Sequence, residues 1–306
     1  MMRCVPWSGP SDGDARHEIV ASVSIQESTL AGSWEVKGGR VGEKSGRLLN
    51  LILASDRLER LEILLTIRIN HLPFNHSPAD SDTITFEDFL AQSELNDSAL
   101  FQIIKPRGEA AEAVEDIRAN FRNLTAEKGG KLPLPTFYNA DQSLALLSYG
   151  LARHLKPDFA LETGVGYGIT SALVLLAMER NNAGELVSID LPPLSDPDGS
   201  CTGLAVPEHL KKRWSLHLAS SWRSLPTILS SVGTVGLFIS DSADVYTLQR
   251  YELETVFPKL AVGGGALVNN IGSKFQAFLR SAQRIQCHSM WQVDKPGNAT
   301  GLILKT

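Results

Sequence analysis

An acidic residue followed by three closely spaced glycines lies near the middle of the chain, and this combination can bind a charged nucleoside. The segment Phe159–Ser171 is apolar up to Glu162 and then turns through Gly164, Gly166 and Gly168 into a second apolar run. Glycines let the backbone bend sharply and let a ligand approach it without a Cβ in the way. The helix start that follows offers free N–H groups and a partial positive charge. Because a carboxylate here would repel a pyrophosphate but suits an amine and a sulfonium, the pattern indicates S-adenosylmethionine rather than NAD.

The spacing of the glycines argues against a dinucleotide fingerprint. That fingerprint, Gly-x-Gly-x-x-Gly/Ala, needs a small residue where the next helix packs on the strand. Counted from Gly164 this position is Ile169, and counted from Gly166 it is Ser171, so neither register fits well. About twenty residues further on, Glu185–Asp190 is predicted to be a second strand whose final carboxylate lies where ribose hydroxyls bind. A cap for the next segment is the alternative role of that carboxylate.

Composition and charge restrict the class of protein. The 306 residues suggest one large domain with an accessory segment, or two domains, and 43% hydrophobic and 21% charged residues are ordinary for a soluble globular protein. A net charge of −5 predicts no general attraction to nucleic acid or to anionic membranes. The cysteines Cys4, Cys201 and Cys287 are too scattered for a zinc site or a disulfide framework. Since there is also no signal-peptide pattern and no apolar run of about 20 residues, we expect a soluble cytoplasmic protein.

The first 135 residues are predicted to be an accessory region without evident chemistry. Residues 1–45 are rich in Gly, Ser, Asp and Glu and are expected to form a flexible or irregular arm. Residues 46–135 are expected to be mainly helical, because apolar residues recur at helical spacing between Gly46 and Leu72 and helical character returns over Glu109–Asn123. Thr85–Asp88 resembles a capping box that opens a short helix. This region is a candidate for homodimerisation or for covering a substrate pocket, with simple core packing as the alternative.

Helices and strands alternate through the rest of the chain, residues 136–306. A helix capped within Asn139–Gln142 runs to about Leu155, and alternation of this kind makes a parallel sheet with right-handed crossovers. The segments Met290–Val293 and Gly301–Leu304 are close enough in sequence to pair as an antiparallel hairpin. The predicted strands before them are Phe159–Glu162, Leu186–Asp190, Ser215–Ala219, Val235–Ser240 and Ala266–Asn269. The sequence therefore predicts an α/β fold whose sheet is mostly parallel and ends mixed.

This part of the chain resembles class I S-adenosylmethionine-dependent methyltransferases, and most of all the small O-methyltransferases of the methyltransferase-24 type. The resemblance covers about residues 137–305 and is carried by Phe137–Asp141, Glu162–Gly168, Ser188–Pro193, Val206–Trp214 and Leu260–Gly265. It implies a Rossmann-like sheet of seven strands, mostly parallel, with the last strands antiparallel. It is specific for fold and cofactor and much less so for substrate.

The resemblance also implies which residues hold the cofactor. The methionine part is expected along Glu162–Gly168, the ribose at Asp190, and the adenine near Ser220–Trp222. Trp222 is either a stacking surface for the adenine or an ordinary buried aromatic. The predicted cofactor-binding residues are Glu162, Thr163, Gly164, Gly166, Tyr167, Gly168, Thr170, Ser171, Asp190, Leu191, Ser220, Ser221, Trp222 and Asp241.

The acceptor side departs from the family pattern. Where relatives carry His-Asp-Ser-x-His-x-Tyr, this chain has Ser240–Tyr246, which lacks both histidines and has Asp244 in place of the second. The Asp-Asp or Asp-Asn pair after the fifth strand is Asn269–Asn270 here. The usual base and part of a Mg²⁺ site are therefore missing, so a weak Mg²⁺ site remains open but is not favoured. The predicted catalytic residues are Asp241, Asp244 and Tyr246, and the predicted substrate residues are Tyr138, Asn269 and Asn270.

These features favour methyl transfer to a small-molecule acceptor, most simply a hydroxyl oxygen in natural-product or secondary metabolism. One alternative keeps S-adenosylmethionine but uses it in a non-methylating reaction such as a cyclisation or rearrangement. Another is a catalytically inactive homologue that binds the cofactor and pairs with an active chain. An NAD-dependent oxidoreductase is the least consistent with the glycine spacing.

Overall fold

A mixed seven-stranded sheet with helices on both faces is the framework of the chain. It is seen in a computed structural model that describes residues 83–91, 99–127, 132, 139–192, 196, 198–243, 245–281, 285–291 and 299–306. The predicted arm over residues 1–45 and the predicted helix from Gly46 to Leu72 lie outside these residues.

The strand order confirms the predicted mixed sheet. The strands are β1 Phe159–Thr163, β2 Glu185–Asp190, β3 Trp214–Leu218, β4 Val235–Ser240, β5 Leu260–Ile271, β6 Ile285–Trp291 and β7 Ala299–Lys305. They lie in the order β3-β2-β1-β4-β5-β7-β6. The first five are parallel, whereas β7 is antiparallel to both of its neighbours, β5 and β6. Because β1 is central and all five of its residues are buried, the residues that follow it emerge in the middle of the carboxyl edge of the sheet.

The helices pack as two layers against this sheet. The described α-helices are α1 Phe86–Ala91, α2 Ala99–Ile104, α3 Glu109–Glu127, α4 Gln142–Leu155, α5 Ile169–Asn181, α6 Ser221–Ser231, α7 Tyr246–Val256 and α8 Ser273–Ser281. Successive residues of a strand point to opposite faces. Accordingly Ala160 of β1 lies in a core with α4 and α5, whereas Leu161 lies in a core with α6, α7 and α8. In the described part of the chain no helix is long and apolar enough to cross a bilayer.

Two predicted helix starts are confirmed by their caps. The Asp141 carboxylate accepts hydrogen bonds from the backbone N–H groups of Ser143 at 2.7 Å and Leu144 at 3.3 Å, which satisfies two of the free donors at the start of α4. The N–H of Asp88 donates to Thr85 Oγ1 at 2.9 Å at the start of α1. Helix α8, in contrast, was not predicted from the sequence.

The described helices before residue 136 join the same core as α4 and α5. Helices α2 and α4 touch closely at Gly150, because a Cβ there would lie 2.2 Å from Ile104 Cγ2. Helix α3 is tied to α4 by the buried Tyr149, whose hydroxyl donates to Glu109 Oε1 at 2.5 Å. Burial and the Glu109 carboxylate raise the pKa of Tyr149 to about 12. The phenol therefore stays a hydrogen-bond donor at every physiological pH.

Candidate functional site

The glycine turn between β1 and α5 is packed at both ends and open in the middle. Its three glycines, Gly164, Gly166 and Gly168, all have positive φ, at 81°, 52° and 83°. A Cβ on Gly164 would lie 2.1 Å from the backbone oxygen of Asp241, and one on Gly168 would lie 2.7 Å from Gly203 Cα. A Cβ on Gly166 would meet nothing within 4 Å. The turn therefore leaves room for a ligand at Gly166, while its flanks are fixed by close backbone packing.

A loop that follows β2 is hydrogen-bonded to the backbone of this turn. The N–H of Gly203 donates to Gly166 O at 3.0 Å, and the N–H of Ala205 donates to Tyr167 O at 2.7 Å. Gly203 itself lies against Trp214, since a Cβ there would be 2.2 Å from the indole ring. These backbone bonds hold the turn in one conformation without any ligand.

Glu162 lies beneath the turn as a fully buried carboxyl group. Its Oε2 accepts hydrogen bonds from Ser171 Oγ and Ser188 Oγ, each at 2.6 Å, and Ser188 Oγ accepts one from Trp214 Nε1 at 2.8 Å. Its Oε1 is buried without a hydrogen-bond partner. Burial raises the pKa of Glu162 to about 7, the two serine hydroxyls oppose this, and the nearby Asp190 adds to it. One oxygen of this buried group is therefore left without a hydrogen-bond partner.

Asp190 ends β2 beside the same opening. Its Oδ2 accepts a hydrogen bond from the N–H of Gly166 at 3.0 Å. Burial raises the pKa of this carboxyl, while backbone N–H groups of Gly166, Val165 and Leu191 lower it. The predicted ribose-binding acid thus lies against the one glycine of the turn that has free space around it.

The segment after β3 places a serine and a tryptophan at the start of α6. Ser220 is buried, and its Oγ has no hydrogen-bond partner. Trp222 is 43% exposed, and its ring stacks on Tyr251 with centroids 4.2 Å apart and an interplanar angle of 19°. The alternative that Trp222 is an ordinary buried aromatic is therefore wrong. Its use as a stacking surface for adenine stays a prediction.

Several predicted cofactor residues point their side chains into the protein. The Thr163 hydroxyl donates to Glu252 Oε2 at 2.8 Å, and the Ser171 hydroxyl donates to Glu162 as described. The Tyr167 ring packs on Phe121 of α3 with centroids 5.2 Å apart. Thr170 is also buried, whereas Leu191 is half-buried at the end of β2. The side chains of Thr163, Ser171 and Tyr167 thus fix the shape of the turn, and only their backbone lies along it.

Glu252 is a second fully buried carboxyl group, and sequence reasoning missed it. Its Oε2 accepts hydrogen bonds from Thr163 Oγ1 at 2.8 Å, Ser240 Oγ at 2.7 Å and Ser242 Oγ at 3.0 Å. Burial raises its pKa, and the surrounding hydroxyls, including that of Ser221, lower it. The group joins the carboxyl ends of β1 and β4. The signal for it was an acid on the apolar stripe of α7, where its neighbours Leu248, Leu253 and Val256 are buried.

The acceptor side is built around Asp241, which follows β4. The N–H of Asp241 donates to Thr163 O at 2.8 Å, so the residue lies directly beside the end of β1. Asn269 Nδ2 donates to Asp241 Oδ1 at 2.7 Å, and Thr300 Oγ1 donates to Asn269 Oδ1 at 3.0 Å. Asn269 is 2% exposed. The structure thus brings Asp241 and Asn269 together, in direct contact.

A β-bulge interrupts the pairing of β5 with β7 at Asn269 and Asn270. Val268 pairs with Gly301 and Ile271 with Ala299, so two residues of β5 lie opposite the single Thr300 of β7. The second of these, Asn270, has φ 50°. Strand β5 continues through this bulge to Ile271, whereas the sequence predicted it to end at Asn269.

Among the other predicted catalytic residues, Tyr246 is described, and its contacts are with α7 and α8. The Tyr246 ring contacts Phe275 of α8 edge-on, with the ring centroids 6.3 Å apart. Its hydroxyl lies near Arg250, and the pKa of Arg250 is raised mainly by the Glu254 carboxylate and further by Tyr246. Tyr138 and Asp244 lie outside the described residues. Within the described ranges, no group of three or more His, Cys, Asp or Glu side chains is placed to hold a metal ion.

One family model matches the middle of the chain. Residues 161–271, from β1 to the end of β5, match the methyltransferase-24 model, described as a methyltransferase domain. Over these residues the chain is therefore similar to the methyltransferase-24 family. No curated protein matches the chain.

Solved O-methyltransferase structures resemble the chain at low identity. TomG from Streptomyces achromogenes, which is involved in tomaymycin synthesis and was crystallised with S-adenosylmethionine, is 18% identical over 64% of this chain and 90% of its own, with a TM-score of 0.49. An O-methyltransferase from Bacillus cereus, crystallised with S-adenosylhomocysteine, is 13% identical over 66% of this chain and 94% of its own, with a TM-score of 0.48.

Proposed function

We propose that the chain is an S-adenosylmethionine-dependent methyltransferase that acts on the oxygen of a small molecule without a metal ion. Two observations carry this proposal: the space around Gly166 in the turn, and the buried Glu162 carboxyl group just before the turn, one oxygen of which has no hydrogen-bond partner. A buried polar atom without a partner costs about 1–3 kcal/mol. A ligand donor that reaches Oε1 would remove this cost, which supports a binding role for the turn.

The residues around the turn fit the cofactor's functional groups. Glu162 would hold the cationic methionine part, Asp190 the ribose hydroxyls, and Ser220 Oγ a polar atom near the base. Trp222 would cover the adenine with its exposed ring. When bound, the cofactor supplies an activated methyl group, which leaves a neutral thioether as the sulfur–carbon bond breaks and the carbon–oxygen bond forms.

The protein's part in the reaction is to align the acceptor and receive its proton. Asp241 lies directly against Gly164, so an acceptor hydroxyl that donates a hydrogen bond to its carboxylate would be held beside the turn. Alignment of this kind can contribute roughly 7–11 kcal/mol to lowering the barrier. The proton released by the hydroxyl would pass to Asp241, and a phenol would need less help than an alcohol. Tyr246 and Asp244 stay predictions for this step.

Biological context and assembly are part of the same proposal. We infer a role in natural-product or secondary metabolism, a cytoplasmic location and a homodimer formed through residues 46–135. The scattered cysteines and moderate negative charge support the location. The organisation into an arm over 1–45, a helical region over 46–135 and a catalytic domain over 136–306 stays a prediction.

A non-methylating use of the same cofactor is the second candidate. Its motive is that the acceptor side has lost both histidines and the acidic pair while the cofactor turn is intact. Mass spectrometry of reactions with candidate phenols and alcohols separates the two proposals. A methylated product with equimolar S-adenosylhomocysteine supports methyl transfer, and a product of unchanged carbon count without S-adenosylhomocysteine refutes it.

Cofactor binding itself is tested by calorimetry with S-adenosylmethionine on the wild-type chain and on Asp190→Ala. We expect saturable binding in the wild type and at least about tenfold weaker binding in the variant. Equal affinity would remove Asp190 from the ribose site. No binding by the folded wild type would end the proposal.

A further inference from the structure

We propose that the Asn269 side-chain amide takes the place of a divalent cation at the acceptor side. In this arrangement Thr300 fixes Asn269, and Asn269 holds the Asp241 carboxylate. This inference rests on the proposed function, because it takes the surroundings of Asp241 to be the acceptor site. Its test does not require turnover.

The hydrogen bonds leave one orientation of the amide. An ionised carboxylate only accepts hydrogen bonds, so the group of Asn269 that faces Asp241 at 2.7 Å is the Nδ2 donor. The amide oxygen then faces Thr300, whose hydroxyl donates to it at 3.0 Å. Asn269 and Thr300 are both buried, and the backbone oxygen of Asn269 accepts a hydrogen bond from Gln249 Nε2 at 2.8 Å. Contacts from α7 and β7 therefore keep the amide in place.

A hard cation does not fit this donor set. Mg²⁺ and similar ions need oxygen ligands and charge compensation from carboxylates. Here the Asn269 N–H group donates to Asp241 Oδ1 and so occupies one of the two oxygens that this carboxylate could offer to an ion. Turning the amide over would bring its oxygen against the carboxylate oxygen and would lose the Thr300 donor bond. The residues present are thus arranged for a hydrogen bond in place of a metal–ligand bond.

This arrangement restricts the class of acceptor. A cation at an acceptor site selects molecules that offer it oxygen ligands, whereas a carboxylate held by an amide selects molecules that offer it an O–H or N–H donor. The amide also leaves the negative charge of Asp241 uncompensated by a dication. We therefore expect acceptors with a single hydroxyl or amine donor, with no requirement for a chelating pair of oxygens.

The experiment compares Mn²⁺ binding to the full-length chain and to its variants by calorimetry, without cofactor. Asn269→Asp is isosteric and adds a second carboxylate next to Asp241, so we expect it to bind Mn²⁺ at least about tenfold more tightly than the wild type. The gain should vanish in the double variant with Asp241→Asn. Asn182→Asp is the matched control, because it makes the same chemical change at the C-terminal cap of α5 and should leave Mn²⁺ binding unchanged.

The wild type provides a test that does not depend on a variant's folding. If the amide replaces the cation, the Mn²⁺ isotherms of the wild type and of Asp241→Asn are the same. The inference would be overturned if the wild type bound Mn²⁺ and Asp241→Asn did not. It would also be overturned if Asn269→Asp folded but bound Mn²⁺ no more tightly than the wild type. A parallel titration with S-adenosylmethionine separates failure of this inference from failure of the proposed function. A wild-type chain that binds neither Mn²⁺ nor S-adenosylmethionine would contradict the cofactor proposal but not the inference about Asn269.

Discussion

Replacing Gly166 by alanine should separate cofactor binding from stability. Its φ of 52° disfavours an L-residue by about 1–2 kcal/mol, but a Cβ there meets nothing within 4 Å, so no clash adds to this cost. We therefore expect a folded protein whose melting temperature falls by only a few degrees. The new methyl group would occupy the space proposed for the ligand. Affinity for S-adenosylmethionine, measured by calorimetry, should fall at least about tenfold, which is about 1.4 kcal/mol.

The chain supplies a matched control for this variant. Gly263, near the start of β5, also has a positive φ, 78°, and open space around its Cβ position. It lies toward the amino end of its strand, whereas ligands of such sheets bind beyond the carboxyl ends. Gly263→Ala should thus show a similar loss of stability and unchanged cofactor affinity. If Gly166→Ala binds S-adenosylmethionine as tightly as Gly263→Ala does, the glycine turn is not the binding surface.

Three further predictions concern buried or stacked side chains. Burial raises the pKa of Glu162 from 4.5 to about 7, so its stabilising contribution is complete below pH 4.5 and is lost as the pH rises through about 7. In urea unfolding without cofactor, the free energy of unfolding of the wild type should fall by about 3 kcal/mol relative to that of Glu162→Gln between about pH 4 and about pH 8. Parallel pH curves for the two proteins would refute this assignment. Trp222→Ala should lose about 0.5–1.5 kcal/mol from its stack on Tyr251 together with cofactor affinity, whereas Trp222→Phe should keep most of both in the same assays. Tyr149→Phe removes a buried donor to Glu109 and should lower the free energy of unfolding by about 1–3 kcal/mol, with calorimetry showing unchanged cofactor binding.

The sequence predicted the framework because its signals are local. The buried run of β1, the glycine turn and the Asp141 cap each act within a few residues, and each element formed where the pattern indicated. Helix α8 was missed because its buried stripe of Phe275, Gln276 and Leu279 is short and includes a polar residue. Gln276 is buried there because its amide donates to Thr83 Oγ1 at 2.7 Å, almost two hundred residues away in the chain.

Side-chain direction at the site was predictable only in part. Glu162 and Asp190 were placed at strand ends by the alternation of helices and strands, and the structure brings both to the turn. Thr163 is adjacent to Glu162, yet its hydroxyl donates a hydrogen bond to Glu252, a residue 89 positions later on α7. A strand's pattern says which residues share a face, but it does not say which partner the packed helix presents to them. The buried Glu252 carboxyl is therefore a tertiary property of the fold.

Asn269 shows how a long-range pairing decides a chemical property. The resemblance to the methyltransferase-24 type made Asn269 a predicted substrate residue, and that role stays a prediction. The register of β5 with β4 and β7 places Asn269 between Asp241 and Thr300, 31 residues later, so that its amide nitrogen donates to Asp241 and its amide oxygen accepts from the Thr300 hydroxyl. A one-residue slip of β5 in this register would turn the Asn269 side chain to the other face, and Asp241 would lose this donor. Whether this acceptor side works with a hydrogen bond or with a metal ion is therefore set by the register of β5 and β7 as much as by the identity of residue 269.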